Sequence, residues 1–117
     1  MHTKSDTTRI MAKASPNVVL VETTLTLKGN LQRADFAAFE HACQTLVKSA
    51  HCKVVLDMSA CTYVSSLVIG ILVDAVTQMR ADGKDVKVRV SPEVGRFLHM
   101  AHLYHLFSYE IVEPNLG

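Results

Sequence analysis

The chain has 117 residues, of which 49% are hydrophobic and 20% are charged, and its formal net charge is +1. This length is typical of one domain with one hydrophobic core, and a nearly neutral charge argues against nucleic acid as a partner. The three cysteines have no CxxC spacing and no signal-peptide pattern precedes them, which predicts a protein of the reducing cytoplasm. The longest apolar run, residues 67–76, is shorter than the ~20 residues of a membrane helix. Membrane insertion is therefore not expected.

The N-terminal part of the chain predicts a mobile segment followed by two strands and a helix. Residues 1–16 lack periodicity and are predicted to be a flexible lead-in. Aliphatic and threonine residues alternate over 18–21 and 25–27, which predicts two strands, and residues 28–30 predict a turn after them. Between 31 and 50, apolar residues recur at helical spacing. They are Phe36, Phe39, Cys43, Leu46, Val47 and Ala50.

The second half predicts three strands alternating with two helices. Residues 53–57 form an apolar run that ends at Asp57, which we expect at the strand end. A helix is predicted over 66–82, stopped by Gly83, and a strand over 86–90. Ser91 is the predicted cap of a helix that ends near His102, and residues 107–112 predict the last strand. This order indicates an α/β fold with a mixed sheet against which helices pack.

The helix that starts within "YVSSLVIGILVDA" has two different faces. One arc, predicted to face the sheet, carries Val68, Leu72, Ala75, Val76 and Met79, and the opposite arc carries Ser66, Gly70, Asp74, Thr77 and Gln78. Leu67, Ile71 and Val73 lie on or beside the polar arc. Two interpretations stay open: these residues contact a partner, or neighbouring helices cover them.

Two adjacent serines, Ser65 and Ser66, lie where this helix begins. The simpler interpretation is that one of them caps the helix by accepting a hydrogen bond from a backbone N–H two or three residues later. The alternative is phosphorylation, because helix N-terminal amides favour a phosphate whose charge would disfavour an apolar partner.

Other candidate chemistry is weaker. His99, His102 and His105 have a spacing that could suggest a metal site, but no cysteine or acid is near them, so neither a metal nor another cofactor is expected. Asp57 is expected on the same rim as Ser65. An acid, a serine and a histidine could form a hydrolase triad, but the G-x-S-x-G elbow is missing. We therefore do not expect an enzyme, and we expect Arg89 and Arg96 to be isolated, solvated charges.

Three blocks together resemble one family. They are "LTLKGNL", "VVLDMSACTYVSSLVIGILVDA" and "VRVSPEVGRFLHMAHLYHLFSYEIVE". In sequence and in spacing they resemble STAS domains, specifically bacterial anti-sigma factor antagonists. The resemblance implies a STAS domain over residues 17–113, with residues 114–117 as a tail. It also implies a mainly parallel sheet of four to five strands with three to four helices.

The resemblance also implies a partner-switching cycle that regulates transcription. In that cycle the antagonist binds an anti-sigma factor that is a serine kinase, phosphorylation by the kinase ends binding, and a metal-dependent serine phosphatase restores it. The phosphorylated residue of the family motif falls on Ser65. The predicted partner surface comprises Asn30, Gln32, Ser65, Ser66, Leu67, Ile71 and Asp74.

The motif differs from the usual family pattern at several positions. Val64 and Leu67 replace the Asp and Gly of Asp-Ser-Ser-Gly, and Asn30 and Gln32 stand where relatives often carry acids. Two alternatives therefore stay open. One is a STAS regulatory subunit that binds another partner, such as a transporter, without phosphorylation. The other is a small-ligand sensor.

Overall fold

In the described part of the chain, five strands pair through backbone hydrogen bonds into one sheet. A computed structural model describes residues 15–103 and 108–113. The strands are β1 (Val18–Val21), β2 (Thr24–Asn30), β3 (Lys53–Tyr63), β4 (Asp85–Val90) and β5 (Glu110–Ile111). Their order in the sheet follows the chain, with β1 antiparallel to β2 and the other three pairs parallel. The predicted mixed α/β sheet is confirmed.

Three helices cover one face of this sheet. They are α1 (Phe36–Lys48), α2 (Ser66–Ala81) and α3 (Pro92–Met100), and a short 3-10 helix (Arg33–Asp35) precedes α1. Their buried residues join those of the strands in one core, in which Phe39, Leu72 and Leu98 lie with Leu56 of β3. Among the described residues, no helix has the length and apolar character needed to cross a membrane.

Most predicted elements are found, with shifts at their ends. The arc of α2 predicted to face the sheet is buried, and α2 ends before Gly83, whose φ of 84° allows the chain to turn. Ser91 caps α3 as predicted, since its Oγ accepts a hydrogen bond from the backbone N–H of Val94 at 3.1 Å. The helix predicted between residue 31 and Ala50 is shorter in the structure, and Ala50 lies beyond its end.

Some of these predictions fall on undescribed residues. The predicted lead-in is described only at Ser15 and Pro16, and residues 114–117 lie outside the described part of the chain. The last predicted strand includes Phe107, which also lies outside it, and β5 itself is described as two residues.

The turn predicted at residues 28–30 is wrong. These residues continue β2, and the chain reverses earlier, at Glu22 and Thr23, because Val21 pairs with Thr24 in a tight hairpin. Glu22 adopts a φ of 55° there, a conformation that such two-residue hairpin turns require. Gly29 also has a positive φ, of 68°, and it lies at an irregularity of the β2–β3 pairing.

β3 extends further than predicted. The prediction missed the extension because the alternation of buried and exposed side chains is broken there. Its buried residues follow a period of two as far as Met58, but the next buried position is Cys61, three residues later. The pairing with β2 explains this spacing: between Asp57 and Ala60, and again between Cys61 and Tyr63, β3 advances one residue more than β2. Each extra residue exchanges the two faces of the strand. A period-two pattern therefore could not detect the end of β3.

The other face of the sheet carries an ion-pair ladder. Asp57, Arg89 and Glu110 are neighbours in register on β3, β4 and β5, and Arg89 lies 3.6 Å from a carboxylate oxygen of each acid. The predictions that Asp57 ends its strand beside Ser65 and that Arg89 is isolated are therefore wrong. Asp57 also accepts hydrogen bonds from the N–H and hydroxyl of Ser59, at the first irregularity of β3.

A buried carboxylate fixes the connection between β2 and α1. Asp35 is 6% exposed, and it accepts hydrogen bonds from the hydroxyl of Ser15 and, at 2.7 Å, from the N–H of Gln32. Burial by itself raises the pKa of Asp35. The hydrogen bonds from Ser15, Gln32 and Asn17 together lower this pKa by a larger amount, so the net shift is downward. The ionised carboxylate is therefore what holds the segment before β1 against this loop.

Replacing Asp35 by Asn should destabilise the fold in a pH-dependent way. A lowered pKa stabilises the folded state above the unfolded pKa, about 3.9, and this stabilisation is lost as the pH falls. At about pH 7 the melting temperature of Asp35→Asn should be clearly lower than that of the wild type. The difference between the two melting temperatures should become smaller below about pH 4. Circular dichroism checks this, with the exposed Asp85→Asn as control. If the difference in melting temperature stayed the same at acid pH, the stabilising role of the ionised Asp35 carboxylate would be contradicted.

The three cysteines should differ in reactivity. Burial, with a smaller effect of Glu40 and Asp57 respectively, raises the pKa of Cys43 and Cys61 to about 12, whereas Cys52 is exposed. Only thiolates react readily, so a thiol reagent should label Cys52 alone in the folded protein and all three cysteines after denaturation. Mass spectrometry of the labelled peptides checks this. Fast labelling of Cys61 would show that the end of β3 opens.

Candidate functional site

The carboxyl ends of β2 and β3 form a rim at one end of the sheet. Asn30 pairs with Tyr63, and the N–H of Leu31 donates to the carbonyl oxygen of Tyr63 at 3.3 Å. Because the two strands are parallel, the loops after them leave from the same edge. The end of β2 at Asn30 and the following loop with Gln32 therefore lie beside the segment from Tyr63 to Ser65.

Ser65 is the cap of α2. Its backbone is extended, with φ −85° and ψ 165°, and its Oγ accepts a hydrogen bond from the N–H of Val68 at 3.3 Å. The predicted capping role is confirmed and falls on Ser65, which is half-buried, whereas Ser66 is the exposed first residue of the helix. The two hydroxyls therefore differ: one takes part in the helix start, and the other faces outward.

The residues that flank the serines have opposite environments. Val64 is 2% exposed and belongs to the core, so it anchors the end of the segment by burial. Leu67 is 54% exposed, although an aliphatic side chain gains free energy when it leaves water. Tyr63, before the serines, is 57% exposed. An aromatic and an aliphatic side chain therefore lie uncovered on either side of Ser65.

Ile71 and Val73 differ from Leu67 in burial. Both are half-buried and pack against the core, so neighbouring elements of the chain partly cover them, while Leu67 stays exposed. Of the two interpretations left open by the sequence, cover within the chain fits Ile71 and Val73. The partner interpretation still applies to Leu67.

Two grooves run along the two sides of α2. The α1–α2 groove, of about 320 Å³, is lined by Ile71 of α2 and by Glu40 and Lys48 of α1, among others. The α2–α3 groove, of about 460 Å³, is lined by α2 from Ser66 to Thr77 and by Phe97, Ala101 and Leu103. Asp74 is exposed and lines both grooves. The predicted surface residues thus fall into three neighbouring places: the rim, the exposed ridge of α2 and the α1–α2 groove.

Sequence reasoning missed Tyr63 and the α3 side of the second groove. Tyr63 could have been found, because an aromatic residue next to a polar helix start is unusual in a buried strand and common at interfaces. Phe97, Ala101 and Leu103 gave no such signal. Their contribution depends on how α3 packs beside α2.

The other candidate sites do not form in the described structure. Asp57 lies within β3 and pairs with Arg89, away from the end of the strand where Ser65 is found, so the sketched hydrolase triad is not assembled. Within residues 15–103 and 108–113, no cluster of three or more His, Cys, Asp or Glu is placed to hold a metal ion. His99 lies in the last turn of α3, His102 follows the end of that helix, and His105 lies outside the described residues.

Comparison with known proteins places the chain in a family. Residues 17–112 match the family model described as "Mlab, STAS domain". No curated protein matches the chain. The match spans every described strand and helix, including the rim, both serines and both grooves. The chain therefore belongs to the STAS domain family, whose members generally act as non-enzymatic regulators.

Proposed function

We propose that this chain is an anti-sigma factor antagonist that binds a serine-kinase anti-sigma factor in the cytoplasm, and that phosphorylation of Ser65 ends the binding. The observation that carries the proposal is the position of Ser65 between two exposed apolar side chains, Tyr63 and Leu67. A partner that covers these side chains must also cover the serine. One modification at Ser65 therefore affects the centre of the contact.

The chemistry of the switch depends on the helix start. A phosphate on Ser65 would be stabilised by the N-terminal amides and dipole of α2, so it need not unfold the domain. The same group carries a charge of about −1.5 to −2, which is costly to bury against an apolar surface. Phosphorylation would thus weaken the complex much more than the free protein. A metal-dependent serine phosphatase would reverse it.

Nearby polar residues support selective binding around this centre. Asn30 is exposed at the end of β2 and Gln32 in the loop after it, and Ser66 and Asp74 are exposed on α2. Apolar contacts at the centre with polar groups around them are typical of protein interfaces. Ile71, half-buried in the α1–α2 groove, would contact a partner only at the side of this surface.

Substitutions at Ser65 test the switch. Ser65→Asp keeps a good cap and adds a charge, so it should fold normally and weaken kinase binding about tenfold or more, on the order of 1.4 kcal/mol. Ser65→Ala should lose about 1 kcal/mol of stability with the cap but still bind. Calorimetry with the kinase encoded nearest to this gene, and thermal melts of each variant, measure both effects. Equal binding by the two variants would reject the switch.

Phosphorylation itself is tested by incubating the chain with that kinase and ATP. Intact mass should rise by one phosphate, peptide mapping should place it on Ser65, and Ser65→Ala should remove it. Ser66→Ala is the matched control, since this neighbouring hydroxyl is exposed yet does not cap α2, and it should still accept the phosphate. A phosphate on Ser66, or none, would contradict the assignment.

A second candidate is a regulatory subunit of a membrane transporter that binds without phosphorylation. Buried Val64 in place of the motif's Asp, and exposed Leu67 in place of its Gly, favour it, because both changes exchange polar or small groups for apolar ones beside the serine. In this case a tagged chain should co-purify with a detergent-solubilised transporter. Leu67→Ser should reduce the yield, whereas Ser65→Ala should leave it unchanged.

A further inference from the structure

The α2–α3 groove has the shape of a trough along a helix. The residues that α2 contributes are Ser66, Ile69, Gly70, Val73, Asp74 and Thr77, which have the three- and four-residue spacing of one helix face. From Ser66 to Thr77 the trough extends over about 16 Å, or roughly three helical turns. Phe97, Ala101 and Leu103 form the opposite wall. Apolar grooves lined by helix faces accept amphipathic helices.

The packing of the described residues does not explain Gly70. It lies inside α2, where glycine costs about 1 kcal/mol relative to alanine, and among residues 15–103 and 108–113 a Cβ built on it has no neighbour within 4 Å. Its φ is not positive, so the backbone does not require glycine there. The missing side chain instead leaves the groove open along the wall formed by α2, which allows another backbone to approach closely.

Asp74 gives the groove a charge. It is exposed, and it is the one ionisable side chain among the described residues that line the α2–α3 groove. Its Oδ2 accepts a hydrogen bond from Nε2 of Gln78 at 2.9 Å, an (i, i+4) contact that orients the carboxylate. A carboxylate beside an apolar floor is complementary to a lysine or arginine on an otherwise apolar helix face.

We propose that the α2–α3 groove binds an amphipathic helix of the partner protein, with its apolar face over Gly70 and a basic side chain paired with Asp74. The inference rests on the proposed role as a partner-binding module, and it names the element by which the partner is held. The rim around Ser65 adjoins the groove through Ser66. One partner can therefore contact the regulated serine and the groove together.

The test is a selection of helical peptides on the full chain. A displayed library of three- to four-turn helices is selected on the wild type alone, and the binding of the enriched helices to Gly70→Leu is then measured. Leucine favours helix, and the space above Gly70 is open, so this variant should fold and melt at or above the wild-type temperature. Enriched helices should share an apolar face with one Lys or Arg, and Gly70→Leu should weaken them about tenfold or more.

A charge exchange then tests the contact with Asp74. Asp74→Arg should weaken an enriched peptide about tenfold, and replacing the basic residue of the peptide by Asp should restore much of the binding to this variant. Ala37→Leu is the matched control for Gly70→Leu: Ala37 belongs to α1 and lines neither groove, so this change should leave binding unaltered. Failure to restore binding would overturn the proposed pairing.

Other outcomes would overturn the helix as occupant. They are the absence of enriched helices, equal binding to Gly70→Leu, a co-purified lipid lost from Gly70→Leu in native mass spectrometry, or a dimer of this chain lost in that variant. The selection needs neither kinase nor ATP. Failure of the Ser65 switch and failure of the groove are therefore separate results.

Discussion

The parallel pairing of β3 with both of its neighbours is the constraint on which the rest of this structure depends. Val54, Leu56 and Met58 are buried on one face of β3, and each contributes to the core that all three helices share. β3 is also paired on both sides over its first half and continues with β2 alone after β4 has ended. The core thus fixes the strand, and the strand carries Tyr63 and Ser65 to the rim.

A sheet covered on one face makes α2 serve two purposes. Its inner arc completes the core, while its outer arc remains the exposed ridge between two grooves. A regulatory contact can therefore be built without opening the domain. The face of the sheet opposite the helices is different, since Arg89 pairs there with Asp57 and Glu110. Charges already paired within the chain favour solvent over an apolar partner, so the helix layer is the better binding surface.

The sequence predicted those parts of the fold that depend on local periodicity and capping. The buried arc of α2, the Ser91 cap and the first residues of β3 are of this kind. The turn predicted at Lys28 to Asn30 was wrong. It was predicted because glycine beside asparagine favours turns, but the pairing with β3 holds these residues extended. In the candidate site, a serine cap at the start of α2 is local and was predicted, whereas its assignment to Ser65 came from the structure. The grooves depend on contacts between distant segments, so no local pattern could reveal them.

The two extra residues of β3 determine how this protein tolerates changes in length. They set the buried positions at Met58, Cys61 and Val64, so that the chain enters α2 with Val64 inward and Ser65 at the rim. Deleting a single residue between Met58 and Val64 would remove one irregularity of the ladder and exchange the two faces of the strand beyond the deletion. The valine would then reach water and the serine would enter the core. Natural variation in this segment should therefore change residue identity and preserve residue number.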